Sequence, residues 1–158
     1  MIAYLKNFFS DKTNTTKMKK ILLFKKLNKI ELNHLSQYLI ERHFKKDEVI
    51  YSKNFPHVVL YFIISGQVDL YLEKDDTNIT FVTLIENQHF GEMGLFNEGV
   101  RISSAKAVTD CTLMAISKYD FVKFISKYPA SGIKLLYNLT EDIAGKYHSW
   151  LINEFRQD

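Results

Sequence analysis

The stretch Val58 to Glu73 reads VVLYFIISGQVDLYLE. Two runs rich in Val, Ile, Leu, Tyr and Phe flank Ser65-Gly66. β-Branched and aromatic residues suit an extended, half-buried backbone, and a Ser-Gly pair marks a turn. In the second run Val68, Leu70 and Leu72 alternate with Asp69, Tyr71 and Glu73. That is the two-residue period of a strand with one face on a core.

Working outward, similar short runs recur on both sides: EVIYS (48–52) before, and NITFVTLI (78–85), SSAKAV (103–108) and CTLMAIS (111–117) after. Turn signals separate them at Asn54-Phe55-Pro56, at Asp75-Asp76-Thr77-Asn78 and at Thr109-Asp110. Repeated short strands at this spacing predict an antiparallel β-roll, of barrel or jelly-roll type.

The flanks carry a helical period. From Lys17 to Phe44, Leu23, Leu27, Ile30, Leu35, Leu39 and Ile40 lie near one helix face,. Asn28, with Glu31 three residues on, resembles a capping box and predicts a break near Leu27–Asn28. Beyond the strands, Ser117 caps a helix with Asp120 in its first turn, Pro129 stops it, and a last helix runs from about Ala130 to Phe155. Ile2–Phe9 is a short helix candidate, and the polar stretch Ser10–Thr16 reads as a linker. The fold class is therefore α+β, a roll flanked by N- and C-terminal helices. The division is a helix and linker over 1–20 and one domain over 21–158.

The bulk composition fits one globular domain. Of 158 residues, 46% are hydrophobic and 25% charged, enough for a full core,. The net charge of +3 asks for no nucleic-acid partner, and the N-terminal lysines read as a solvated face. Cys111, the single cysteine, excludes an internal disulfide and reads as a small buried hydrophobe in a reducing compartment. No apolar run is long enough to span a membrane, and no secretory signal opens the chain, so the expected location is the cytoplasm. The five histidines show no metal-ligand spacing,, and no hydrolase, Walker or zinc-protease pattern occurs. No enzyme, metal or cofactor is expected.

One segment breaks the strand pattern. His89 to Gly99 holds three glycines and two glutamates between strand candidates. Gly91 and Gly94 allow the backbone to come close to a ligand, and N–H groups opening a short helix suit an anion. Arg101, ten residues past Gly91, is placed to hold a phosphate through two hydrogen bonds. Glu92 accepts hydrogen bonds only, which suits a sugar hydroxyl. Together these describe a ribose joined to a phosphate. The rival explanation of each part is ordinary: a turn, or a surface salt bridge of under about 1 kcal/mol.

The stretch Phe90 to Ala107, FGEMGLFNEGVRISSAKA, resembles the phosphate-binding cassette of the cyclic-nucleotide-binding domain family. That family includes catabolite activator proteins and the regulatory subunits of cAMP-dependent kinase. Phe90, Gly91, Glu92, Met93, Gly94 and Leu95 fit its pattern without a gap, Arg101 follows at the usual separation, and Ser104 and Ala107 fit its small positions. The resemblance runs from about Leu22 to Trp150, with LYFIISGQVDLY similar to the family hairpin.

It implies a ligand site of Gly91, Glu92, Met93, Gly94, Leu95, Arg101, Ile102 and Ser103. Glu92 accepts from the ribose 2′-hydroxyl, and Arg101 pairs with the cyclic phosphate. N–H groups near Gly94, Leu95 and Ser103 complete the anion cradle. Tyr147 or Trp150 of the last helix covers the base. Ile102 stands where the family often has Ser, Thr or Ala, Ser103 where Ala is usual, and Val100 where Pro is common. Loss of the hydroxyl at 102 favours adenine over guanine, so the implied ligand is cAMP, with cGMP second. Asp47 and Lys53–His57 replace the family's Gly-Asp or Gly-Glu turns.

Ile133, Leu136, Thr140, Ile143, Tyr147 and Trp150 form a heptad-like stripe on the last helix,. It serves packing on the domain or a homodimer, as in many family members. The chain ends at Asp158, which leaves no room for a helix-turn-helix. Output is expected through an effector protein or a dimer, without direct nucleic-acid contact. The main rival is a degenerate domain of the same fold that binds no nucleotide and serves as a protein-interaction scaffold.

Overall fold

The computed structural model describes residues 12–74 and 77–155. The helix expected over Ile2–Phe9 lies outside the described residues. Lys12–Met18 (α1) is helical, where the polar composition reads as linker. The fully buried Met18 at its end belongs to the main core, which supplies what local propensity lacks. A single 3₁₀ turn, Leu22–Phe24, leads to α2, Lys29–Ser36. The capping box is present: Asn28 Oδ1 accepts from the Ile30 and Glu31 N–H groups, and Glu31 Oε2 accepts from Asn28 N.

The helical expectation fails at residues 40–44. Ile40–Phe44 is a strand, β1. It pairs antiparallel with Cys111–Ser117 (β8), from Ile40↔Ala115 to Phe44↔Cys111. Ile40 is half exposed, so the apolar period that carried the helix through it was coincidental. At Ile40 a long-range ladder wins over a local period whose buried members end at Leu39.

The remaining strands are β2 Val49–Tyr51, β3 Val59–Ser65, β4 Val68–Lys74, β5 Thr77–Leu84, β6 His89–Phe90 and β7 Ser104–Ala107. They form two four-stranded antiparallel sheets, ordered β1-β8-β3-β6 and β2-β7-β4-β5. β3 and β4 thus belong to different sheets, and the turn at Ser65-Gly66 is a corner between them rather than a hairpin. Gly66 has φ +93° and lies against Asp110 and Cys111, where a Cβ would come within 2.6 Å of the Asp110 carbonyl oxygen. The close hairpin is β4–β5.

The alternation read in β4 also breaks. Tyr71 is buried and Leu72 exposed, although β4 keeps an unbroken register with β7 from Val68 to Tyr71. The register shift of the β4–β5 ladder lies in β5, where Phe81 is passed over between Val82 and Thr80,.

Strands β3 and β8 are buried on both faces, which explains their unbroken apolar runs. Leu60, Phe62, Met114 and Ile116 face the helices and join Phe24, Leu35, Phe124 and Leu139 in the larger core. Ile63, Leu113 and Cys111 face the roll interior with Val68, Phe90 and Ala105. Cys111 is buried there, its Sγ 3.1 Å from the Gln67 carbonyl oxygen.

Met93–Phe96 is a one-turn helix, α3, inserted between β6 and β7. Lys118–Lys127 is α4, and the Ser117 hydroxyl caps it by accepting from Asp120 N. Pro129–Phe155 is α5. Its first half is anchored by Leu135, Asn138 and Leu139, while Ile133, Tyr137, Tyr147, Trp150 and Phe155 are exposed. No helix among the described residues is long and apolar enough to cross a membrane.

Candidate functional site

The cassette begins where β6 ends. Gly91 has φ +88°, in the left-handed region that favours glycine,. A Cβ there would stand 2.7 Å from both Arg101 Nη1 and the Val59 carbonyl oxygen. Gly91 therefore turns the chain into α3 and leaves room for the arginine. Gly94 has a different task. It is buried, and a Cβ on it would overlap the His57 carbonyl. Leu95 is buried in the larger core and pins the turn from below. The N–H groups of Gly94 and Leu95 donate to the Gly91 and Glu92 carbonyls, at 3.3 and 3.0 Å. They are spent within the turn, contrary to the cradle expected from sequence, because a one-turn helix closes its own hydrogen bonds. Met93 is exposed.

Two left-handed residues stand where the resemblance implies glycine turns, one before β2 and one beside the site. Asp47 has φ 67° and Asn54 φ 69°, a conformation Asn and Asp tolerate better than most residues. The Asn54 turn straps the segment that carries the arginine. Asn54 N donates to the Arg101 carbonyl at 2.9 Å, and Arg101 N donates to the Phe55 carbonyl at 2.7 Å. Lys53 N donates to the Ser104 hydroxyl.

Arg101 is only 6% exposed. Its Nη2 donates to the Val59 carbonyl at 2.6 Å, Nη1 reaches the Gly91 carbonyl at 3.5 Å, and the guanidinium lies 4.1 Å from the centre of the Tyr51 ring. Nε is buried without a hydrogen-bond partner. No carboxylate lies within ion-pair distance of it among the described residues. Burial lowers its pKa, against the pull of Tyr51, Tyr61 and Glu92. Beside it Tyr61 and Phe90 stack at 5.1 Å, with Tyr51 about 6 Å from each. Burial raises the pKa of both tyrosines. Sequence reasoning did not single out Tyr51 or Tyr61; their places on strands that face the roll were the available signal. Ser103 is buried with its hydroxyl toward Tyr51, and Ile102 is 65% exposed.

The expected ribose acceptor, Glu92, is engaged. Lys146 of α5 donates to Glu92 Oε1 at 2.9 Å, and its Nζ lies 2.8 Å from Asp142 Oδ2. Burial opposes the ammonium, yet the two carboxylates hold its pKa above the usual lysine value. The terminal helix thus meets the cassette through Lys146. Tyr147 and Trp150, the base covers expected by type, are exposed and stack on each other at 6.0 Å. Of the expected ligand residues, Gly91, Glu92 and Arg101 gather at one end of the roll. Gly94 and Leu95 support them, and Ile102 and Met93 lie at the surface.

Comparison with known proteins agrees with this geometry. Residues 41–128 match the family model described as the cyclic nucleotide-binding domain. A cyclic AMP receptor protein of Thermus thermophilus is 31% identical over 113 residues, 71% of this chain and 52% of the relative. A crystal structure of Thermus thermophilus catabolite activator protein is 28% identical with a TM-score of 0.73, covering 83% of this chain and 60% of that one. A cyclic nucleotide-binding domain from Methylobacillus flagellatus has the same fold at 16% identity. Its TM-score is 0.80, over 91% of this chain and 85% of the other. The chain spans about half the length, or less, of the curated relatives it matches. With a matched model over most of the roll and a glycine turn, glutamate and buried arginine at its mouth, this chain belongs to the cyclic nucleotide-binding domain family.

Proposed function

We propose that this chain binds a cyclic nucleotide monophosphate, cAMP in preference to cGMP, as a cytoplasmic regulatory module and not an enzyme. The observation that carries the reading is Arg101. A buried guanidinium with no carboxylate in ion-pair distance among the described residues, and with one N–H unpartnered, has the capacity for an anion. Removing a charge from water is costly unless it is paired. Gly91, which makes room beside it, and Glu92, an acceptor of sugar hydroxyls, match a ribose cyclic phosphate in size and polarity. The Thermus cyclic AMP receptor likeness supports the same ligand class. Ile102 offers no hydroxyl to a guanine, which is the basis for preferring adenine.

Ligand entry requires Lys146 to leave Glu92. Binding would therefore loosen α5 from the cassette and pass the signal to an effector protein or a homodimer. The exposed Ile133, Tyr137, Tyr147 and Trp150 are the surface for either. Such coupling works only through different ligand affinities of the attached and released states. Calorimetric titration with cAMP and cGMP, with light scattering on each form, tests this. Saturable binding with cAMP tighter is expected.

A second reading has its own support. Arg101 is held by two carbonyls and a ring, and Glu92 by a lysine. A site satisfied in this way also describes a scaffold that binds no nucleotide. No heat with either nucleotide at millimolar concentration would decide for it.

A further inference from the structure

His89, on β6, is buried, with its side chain 3% exposed, and its Nε2 has no hydrogen-bond partner. It lies 3.4 Å from Asp142 Oδ2 without the alignment of a hydrogen bond. One turn earlier on α5, Asn138 Oδ1 is likewise buried without a partner. Asn138, Asp142 and His89 line one cavity of about 130 Å³ between α5, β6 and the 3₁₀ turn. Across the cluster, the nearest ligand-type atoms of His89, Glu92 and Asp142 all lie within 4.8 Å of one another. These three residues come from two distant stretches of sequence, which is why no metal-ligand spacing is visible along the chain.

We propose that His89 Nε2 and the carboxylates of Glu92 and Asp142 form a site for a divalent transition metal of zinc type, in exchange with the Lys146 ammonium. The donor set is one imidazole and two carboxylates, a set zinc accepts. Zinc bonds of about 2.0–2.1 Å place neighbouring tetrahedral ligands roughly 3.3 Å apart, and His89 Nε2 and Asp142 Oδ2 are 3.4 Å apart. That the spot favours positive charge is plain from Lys146, whose Nζ sits 2.9 Å from Glu92 Oε1 and 2.8 Å from Asp142 Oδ2. A lysine gives those carboxylates a counter-charge but leaves the buried imidazole nitrogen without a partner. A metal ion satisfies all three. Lys146 is half exposed, so its side chain can swing to solvent when the ion enters. Glu92 is shared with the proposed ribose contact, so metal and nucleotide would exclude each other if that reading holds. The metal site itself is tested without nucleotide and is judged alone.

The test uses the full chain with Zn²⁺ by calorimetry and Co²⁺ by visible absorption. One ion per chain is expected, with the intense d–d bands of low-coordinate Co²⁺. Loss of outer-shell partners alone costs about 10- to 100-fold in metal affinity, so Asp142→Asn is expected to weaken binding at least about tenfold. Asp142 is partly exposed, so this nearly isosteric change leaves folding intact, checked by circular dichroism. Lys146→Gln is expected to tighten metal binding several-fold by removing the competing ammonium. His43→Ala, at an exposed histidine 3.0 Å from Glu41, leaves the bands in place. No saturable binding, binding unchanged by Asp142→Asn, weaker binding in Lys146→Gln, or loss of the bands in His43→Ala would each overturn the proposal.

Discussion

Arg101→Met separates ligand binding from stability. The side chain loses its charge but keeps most of its apolar stem. In the ligand-free fold, the guanidinium makes one short bond to Val59, a long one to Gly91 and a ring contact with Tyr51. A hydrogen bond to a charged group contributes about 1.5–3 kcal/mol, and the ring about 0.5–2 kcal/mol. Against this stand the desolvation of a 6% exposed cation and an unpartnered Nε, which alone costs about 1–3 kcal/mol. These contributions nearly cancel, so unfolding free energy should change by no more than about 2 kcal/mol. For a domain of this size that is a melting shift within roughly 8 °C. Binding has no such cancellation, because the phosphate loses its counter-charge in a buried site. A loss of about 2–5 kcal/mol corresponds to roughly 30- to several-thousand-fold in Kd. Calorimetric titration with cAMP and differential scanning calorimetry on the same sample read both quantities. Unchanged affinity would refute the role of Arg101. A stability loss above about 4 kcal/mol would show the arginine to be chiefly structural.

Three further outcomes follow from the geometry. Lys146→Gln removes the ammonium that competes for Glu92; releasing a partly exposed pair is worth up to about 1 kcal/mol, so cAMP affinity should rise by no more than about fivefold, and weaker binding in the same titration would contradict the competition. Gly94→Ala forces a methyl group into the His57 carbonyl and should destabilise by at least about 1–3 kcal/mol, read as a lower urea midpoint; an unchanged midpoint would mean that α3 moves freely. Asn28→Ala removes the acceptor for the Ile30 and Glu31 N–H groups and should cost about 1 kcal/mol, or roughly 2–4 °C in melting temperature, with nucleotide affinity unaffected.

Local physics fixed a large share of this protein along the chain. A capping box needs only Asn28 and Glu31, a cap only Ser117 and Asp120, and a strand only a short apolar run such as CTLMAI, so each was readable from its own neighbourhood. The cassette was marked by its resemblance to a family pattern, in which Gly91, Glu92 and Arg101 stand in order within eleven residues. What lay beyond the sequence was decided by partners far along it. Residues 40–44 carry a helical period, but β8 offers them a ladder. A two-residue alternation points Leu72 inward, yet the folded roll buries Tyr71 and exposes Leu72. Ser65-Gly66 reads as a hairpin turn, yet its strands find β8 and β7 instead of each other. At the site, the roll folds Tyr51 and Tyr61 around Arg101. The path of α5 brings Lys146 to Glu92 and Asp142 to His89, contacts between stretches about fifty residues apart. Periods and caps are short-range properties of a chain. Ladders, registers and ion pairs depend on which distant surfaces burial brings together, and only the folded protein sets that.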